Sequence, residues 1–320
     1  MSNELEFSDN AVNLLEDRYL KKNENGEVIE TPKGMFKRVA KNIAGAEKNV
    51  RKEVEWERKF YQMMTKFEFL PNSPTLMNAG TDIQQLAACF VHPIEDSMEG
   101  VFTAIKNAAL IHKSGGGTGF AFSRLRPKDD VVKSTGGVSS GPISFLKVFN
   151  SATNTVKQGG RRRGANMGVL RVDHPDIINF IQCKGELNEE NQELFEEYRK
   201  SLEMNEDILY SEAEKLLDDY KRKLLDNQFS NFNLSIGITK EFMNAVEKGL
   251  TGQDSSYKLI NPRTEEAVDD LDALKVFYMI CEYAHKNGEP GVIFLDKVNE
   301  GHPINKPIEA TNPCGDVRLM

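Results

Sequence analysis

Cysteine is scarce in this sequence: 320 residues contain four, Cys89, Cys183, Cys281 and Cys314. None forms a C-x-x-C pair, which removes a zinc ribbon or a thioredoxin-like motif. So few cysteines in so long a chain also exclude a disulfide framework. A reducing cytoplasm is the compartment that fits, and any functional cysteine is then catalytic or redox-cycling. No apolar run reaches the roughly 18 residues a membrane helix needs. Met1 to Phe7 is acidic and lacks the basic-then-apolar order of a signal peptide. Basic excess is missing as well. The formal net charge is −8, whereas nucleic-acid binding requires a basic face; small phosphorylated ligands need only a local positive site. There is no internal repeat and no low-complexity linker. What remains is 39% hydrophobic and 28% charged residues, the balance of a soluble globular protein of one large domain or two.

The first seventy or so residues predict helices. Ser8 is placed to cap a helix with Val12, Leu15 and Tyr19 on one face. A polar stretch from Lys22 to Thr31 contains Asn25-Gly26, a turn signal. Phe36, Val39, Ala40 and Ile43 recur at helical spacing, and Trp56, Phe60, Met64 and Phe67 continue the period in a further helix. From Phe69 the composition changes to glycine, serine and short apolar runs. Leu86–Val91 and Gly119–Phe122 predict strands and Met98–His112 a helix, an α/β alternation. Asp173-His174-Pro175-Asp176 is a helix-start signal ahead of Ile177; a catalytic Asp–His pair is the competing reading. Glu186–Asn227 has no Gly or Pro and is rich in Glu, Lys and Leu, which predicts one or two charged helices inserted at about 186–228. Phe232–Ile238 predicts a strand, Lys240–Lys248 and Leu271–Lys286 predict helices, and Gly291–Leu295 a buried strand.

Four motifs have chemical potential. Pro71-Asn72-Ser73-Pro74-Thr75 reads as a turn whose hydroxyls can bond backbone or ligand. Ser114–Gly119 carries four glycines that let a backbone approach a ligand closely. It is neither a Walker A loop nor a G-x-G-x-x-G fingerprint, because no Gly-Lys-Ser/Thr follows and Phe120 and Phe122 occupy the required glycine positions. Lys157 to Asn166 sets Arg161, Arg162 and Arg163 among glycines. In an acidic chain, such a cationic loop suits phosphate or nucleotide. Asn312-Pro313-Cys314-Gly315-Asp316 puts a cysteine on a tight loop, with an amide and a carboxylate two residues either side. In an extended loop those two side chains share the cysteine's face, which suits radical or acid–base chemistry.

Taken in order, the segments PNSPTLMNAG (71–80), AACFVHPIEDS (87–97), SGGGTGFAFSRLRPK (114–128), SSGPISFLKVFNSAT (139–153), KQGGRRRGANMGVLRVDHPDI (157–177) and TNPCG (311–315) resemble the catalytic subunits of ribonucleotide reductases. The Gly-rich run and the arginine loop are most similar to the adenosylcobalamin-dependent class. The resemblance implies a helical amino-terminal domain, residues 1–70, then the first half of a ten-stranded α/β barrel over 71–320 that ends at a finger loop. It implies that Cys314 carries a thiyl radical that abstracts the substrate's 3′-hydrogen, and that adenosylcobalamin generates that radical. Cys89 then helps deliver reducing equivalents at C2′, and Asn312 bonds a substrate hydroxyl. Ser73, Ala88, Cys89, Gly117 and the Asn312–Asp316 loop, with Pro313 and Gly315, contact the ribonucleotide substrate. Lys157, Arg161, Arg162 and Arg163, together with a loop over Pro127–Gly141, sense a dNTP effector. No metal ligand set is implied.

One position departs from the family: Asp316 stands where the family has Glu, a carboxylate shorter by one methylene. The resemblance further implies a thioredoxin-like or other dithiol reductant and a homodimer when the enzyme is complete. A second polypeptide or a missing carboxy-terminal half would supply the rest of the barrel. The expectation is that this polypeptide alone is inactive and poorly soluble, with no nucleic-acid or membrane partner. The rival readings are an iron-dependent reductase large subunit, a glycyl-radical enzyme on the same barrel, and an inactive nucleotide-binding fragment.

Overall fold

The computed structural model describes residues 7–132, 136–156, 164–204, 209–315 and 318–319. Contacts divide the chain into two compact units, the first formed mainly by the chain up to Cys89 together with residues 113–116, the second by most of the chain beyond Cys89.

The first unit is helical: α1 (Asp9–Arg18), α2 (Pro32–Ala44), α3 (Val50–Thr65) and α4 (Ser73–Asn78). Each start is set by its own sequence. Ser8, Thr31, Asn49 and Asn72 cap the four helices through side-chain oxygens that accept backbone N–H groups, satisfying donors the first turn leaves free. The 71–75 motif is therefore a helix start and not only a turn: Asn72 Oδ1 accepts from Thr75 N at 2.9 Å and from its hydroxyl at 2.7 Å. Phe67 lies beyond α3, in a left-handed conformation (φ 57°). Leu20, Met35, Phe36, Val39, Ala40, Met64, Leu76 and Ala79 form the core. Half-buried Arg38 ties α2 to α4. Its fork grips Glu30 at 2.8 Å on both oxygens, and it also donates to Ala79 O at 2.5 Å and Leu76 O at 3.2 Å.

The second unit alternates strand and helix. Its elements are β1 (Cys89–Pro93), α5 (Met98–Lys113), β2 (Gly117–Ala121), β3 (Val131–Val132), β4 (Gly137–Val138), α6 (Gly141–Thr155), β5 (Asn166–Arg171) and α7 (Ile177–Gln182). They continue with α8 (Glu189–Glu203), α9 (Tyr210–Gln228), β6 (Phe232–Ile238), α10 (Lys240–Leu250), β7 (Ser256–Ile260), β8 (Ala267–Asp272) and α11 (Ala273–Asn287). The last four are β9 (Gly291–Phe294), α12 (Leu295–Asn299), β10 (Ala310–Thr311) and β11 (Arg318–Leu319). Five strands form one sheet in the order β1-β2-β5-β6-β9, and the pairs β2–β5, β5–β6 and β6–β9 are parallel. An all-alpha region followed by a partial α/β barrel is thus the architecture.

Several local expectations need correction, among them the buried strand expected at Gly291–Leu295: β9 ends at Phe294 and three of its four residues are exposed. The first strand begins at Cys89 and not at Leu86, and the glycine run becomes strand β2 from Gly117 onward. The helix expected from Leu271 starts at Ala273, because Leu271 and Asp272 close an unforeseen hairpin, β7–β8. Asp176 does not cap α7 with its side chain. Its Oδ2 instead accepts from Lys128 N at 2.9 Å.

The two faces of the sheet differ in side-chain size, and this positions the site. Registered residues of parallel strands share a face. Phe120, Phe122, Leu170, Phe232, Leu234, Ile236 and Ile238 point to the helices and pack with Phe149, Phe180, Phe242, Val276 and Ile280. On the opposite face stand Gly119 with Met167, Ala121 with Val169, and Val169 with Ser235 and Gly291. Big side chains fill one side; the other is left shallow enough to accept more chain.

Candidate active site

The segment that occupies the shallow face is the β10–β11 hairpin. Ala310 pairs with Leu319 and Thr311 with Arg318, and Asn312–Gly315 lead into its tip with Cys314 among them. Gly315 (φ 74°) turns the chain there, a conformation that glycine adopts without strain, and its N–H closes the turn on Asn312 O at 2.9 Å. Ala310 packs with Ala121, Met167 and Val169. A Cβ on Gly119 would fall on the Thr311 carbonyl, and one on Gly117 would press on Pro313 Cγ at 3.3 Å. The glycines expected to admit a ligand therefore admit the protein's own finger. Asn233, facing the hairpin from β6, donates its amide to Pro313 O at 3.0 Å. Further back, Asn299 both donates to Ile308 O at 2.9 Å and accepts from Ile308 N at 2.6 Å, and Arg124 pairs with Glu309 at 2.8 Å.

Asn312 is fully buried, Pro313 half-buried, and Cys314 and Gly315 are exposed. The thiol opens on a cavity of about 500 Å³ lined by Met167, Ser235, Gly291, Ile293, Lys297 and Thr311 among others. Ser235 and Asn233 were invisible as site residues from the sequence, since a strand serine and asparagine carry no local signal. The structure brings Gly117 together with Pro313 beside Cys314 and Asn312. Ser73, Ala88 and Cys89 belong to the first unit; there the Ser73 hydroxyl is 3.0 Å from the Tyr19 phenol, and Cys89 opens β1. Asp316 and the effector residues Lys157, Arg161, Arg162 and Arg163 lie outside the described residues.

The other polar groups of the second unit serve the scaffold. His174 Nε2 meets Leu125 O at 2.8 Å and its Nδ1 accepts from Asp176 N at 3.0 Å. Burial pushes its pKa down, so it is a neutral staple and not half of a catalytic pair. His112 Nε2, Thr118, Asn166 and Thr153 form a buried chain at 3.0, 2.6 and 2.9 Å, which fixes the starts of β2 and β5. Cys183 donates to Phe180 O at 3.3 Å. Although the residue as a whole is half-buried, its sulfur is enclosed, and that desolvation pushes the thiol up to about 12. Among the described residues no group of three or more His, Cys, Asp or Glu side chains is placed to hold a metal ion.

Residues 5–84 match the ribonucleotide reductase all-alpha domain and residues 87–320 match the ribonucleotide reductase barrel domain. The chain belongs to the ribonucleotide reductase family. It is 38% identical to a vitamin B12-dependent ribonucleoside-diphosphate reductase of Thermoplasma acidophilum, across all of this chain and 44% of the relative. With a Mycobacterium tuberculosis protein of the same description the identity is 41%, across 99% of this chain and 40% of the relative. A ribonucleoside-diphosphate reductase subunit alpha of Helicobacter pylori is 34% identical over 59% of the chain. The chain thus spans about two-fifths of the length of the B12-dependent reductases it matches. No helix among the described residues is long and apolar enough to cross a membrane.

Proposed function

We propose that this chain is the part of an adenosylcobalamin-dependent ribonucleotide reductase that holds the radical cysteine. The observation that carries the reading is the placement of Cys314: an exposed thiol at the tip of a hairpin, held over the small-residue face of a parallel sheet and opening on a cavity. A sulfur so exposed is open to a large cofactor and to a ribose alike. When bound, adenosylcobalamin supplies the one-electron oxidation of that thiol; such chemistry belongs to cofactors and not to side chains.

The chain's own residues take the following parts in the rest. Cys314, as a thiyl, takes the hydrogen atom from C3′ of a ribonucleotide, giving a thiol and a substrate radical. The 2′-hydroxyl then leaves as water with one proton, and C2′ gains a hydrogen in its place; Cys89 and a second thiol supply both protons and two electrons and become a disulfide. Return of the hydrogen atom from Cys314 to C3′ completes a deoxyribonucleotide and restores the thiyl. A dithiol reductant of thioredoxin type resets the disulfide. Asp316 takes the 3′-hydroxyl proton. Asn312 bonds a substrate hydroxyl, which requires its buried amide to turn towards the cavity. Ser73, Ala88, Cys89 and Gly117 contact the sugar and phosphate. Pro127–Gly141 and the arginine loop sense a dNTP, and the enzyme works as a homodimer with a second half-barrel from elsewhere in the polypeptide or from a partner. The names of the Thermoplasma and Mycobacterium relatives make ribonucleoside diphosphates the substrates to test first.

The Helicobacter relative is named a subunit, alpha, which leaves a reductase that needs a separate radical-generating partner, the iron-dependent class, as the second reading. The two separate on cofactor demand. The active enzyme, supplied with dithiol, should form deoxyribonucleotide only when adenosylcobalamin is added and without any radical-generating protein. Turnover that needs such a protein and ignores adenosylcobalamin would reassign the class.

A further inference from the structure

Asp130, in the segment Pro127–Gly141, is held by an ion pair whose arginine lies outside the six segments that carry the resemblance. Asp130 receives a two-pronged fork from Arg263, NH2 to Oδ1 at 2.7 Å and Nε to Oδ2 at 2.9 Å. Asn261 Nδ2 adds a bond to Oδ2 at 3.3 Å, and the Val131 N–H a bond to Oδ1 at 2.8 Å. These donors hold the carboxyl well below the usual carboxylate range, with the Arg263 hydrogen bond contributing most. The main chain around Asp130 closes the base of the β3–β4 hairpin: Ser139 N donates to Asp130 O at 2.8 Å and Asp129 N to Ser139 O at 2.9 Å.

Arg263 and Asn261 sit in the turn of the β7–β8 hairpin, which is itself fixed to the barrel. Ile260 N donates to Asp173 O at 2.7 Å, the Tyr257 phenol meets the Thr239 hydroxyl at 3.0 Å, and Arg263 N donates to Asn261 Oδ1 at 2.9 Å. Among the described residues, the β3–β4 hairpin is held by a short ladder, by Arg126, which donates to Val131 O at 3.1 Å, and by the bonds to Asp130. Its ladder is two residue pairs long, and Val131 and Val138 are 54% and 67% exposed. So short a ribbon does not keep its shape unaided, and the charged grip on Asp130 anchors its base.

We infer that Arg263 is a positioning residue for the effector response: through Asp130 it fixes the shape in which Pro127–Gly141 meets a deoxynucleotide, and so sets the strength of dNTP-directed base choice without touching effector or substrate. This rests on the reading of that segment as an effector loop. Arginine suits the task, since its planar fork fixes both distance and orientation, which a lysine ammonium does not.

The test titrates the active reductase with each of the four dNTPs while measuring reduction of all four ribonucleoside diphosphates. Arg263→Ala should raise the half-saturating dNTP concentration about tenfold, a typical size for coupling between sites, and flatten base preference, while the effector-free rate is kept. Arg263→Lys should recover only part of the response. Exchanging the pair, Asp130→Arg with Arg263→Asp, should restore more of it than either single change allows. The inference is overturned if half-saturation is unchanged in Arg263→Ala, or if the exchange is no better than the single variants. It is equally overturned if Arg263→Ala loses its effector-free rate and thermal stability together, which would make the residue merely structural. An unmodified enzyme that ignores dNTPs would overturn the effector-loop reading itself, and this inference with it.

Discussion

Two cysteines of the barrel unit show how environment decides what a thiol does. Cys314 is exposed on a hairpin tip, while the Cys183 sulfur is enclosed and its pKa raised to about 12 by desolvation. Thiolate is the reactive form, so at a pH near 8 only about one Cys183 in 10⁴ is available. Alkylation followed by peptide mass spectrometry should modify Cys314 rapidly and leave Cys183 untouched until the chain unfolds. Early labelling of Cys183 would mean that the pocket around it is not closed. Gly119 makes a second prediction at this scale. Alanine there would push the Thr311 carbonyl away and move the finger. A displacement of about 1 Å at a reacting group costs roughly 100-fold, so Gly119→Ala should lose at least that much turnover while substrate binding changes little. Steady-state kinetics with a separate binding measurement checks it.

Among the elements, some were legible in the sequence and others were not, for a physical reason. Helical periodicity and caps are local, so α1, α2 and α10 could be read directly. The strand β6 was plain from its alternation, Phe232, Leu234, Ile236 and Ile238 separated by Asn233, Ser235 and Gly237. The β7–β8 hairpin was missed because Ala267–Asp272 is largely acidic and exposed, and its worth comes from Arg263 reaching Asp130 across 133 positions of sequence. Glycine at 119 was noticed, but not what it admits, since Thr311 is remote in sequence. The charged segment at Glu186–Asn227 forms α8 and α9, which hold one buried residue between them, Leu202, and pack on each other through Tyr198 and Tyr220 at 4.4 Å. Replacing 190–226 by a short Gly/Ser linker should therefore cost less than about 1 kcal/mol, in line with changes away from a core, as read from thermal melting. A large loss of stability would show that these helices carry part of the core.

At the scale of the whole molecule, three histidines, His92, His112 and His174, have pKa values pushed down by burial. Below the unfolded value of about 6.5, the unfolded chain binds protons that the folded chain does not, so stability falls as pH drops from roughly 7 towards 5. Melting curves across that window should show the decline, and His112→Gln should flatten it; a flat profile in the unmodified protein would contradict the reading that burial keeps these histidines neutral. The sheet adds a further expectation. Strand β9 lies at the edge in the described residues, with Val292 and Phe294 exposed at 43% and 49%. An unpaired apolar edge invites association, so these 320 residues on their own should self-associate in size-exclusion chromatography.

Everything in the proposed chemistry passes through one sulfur, and its removal is the most direct measurement. In the active enzyme, Cys314→Ala should form no detectable deoxyribonucleotide while still binding ribonucleotide with near-normal affinity and melting as the unmodified protein does, because the side chain is exposed and supports no packing. Deoxyribonucleotide produced by Cys314→Ala at an appreciable fraction of the normal rate would contradict the account.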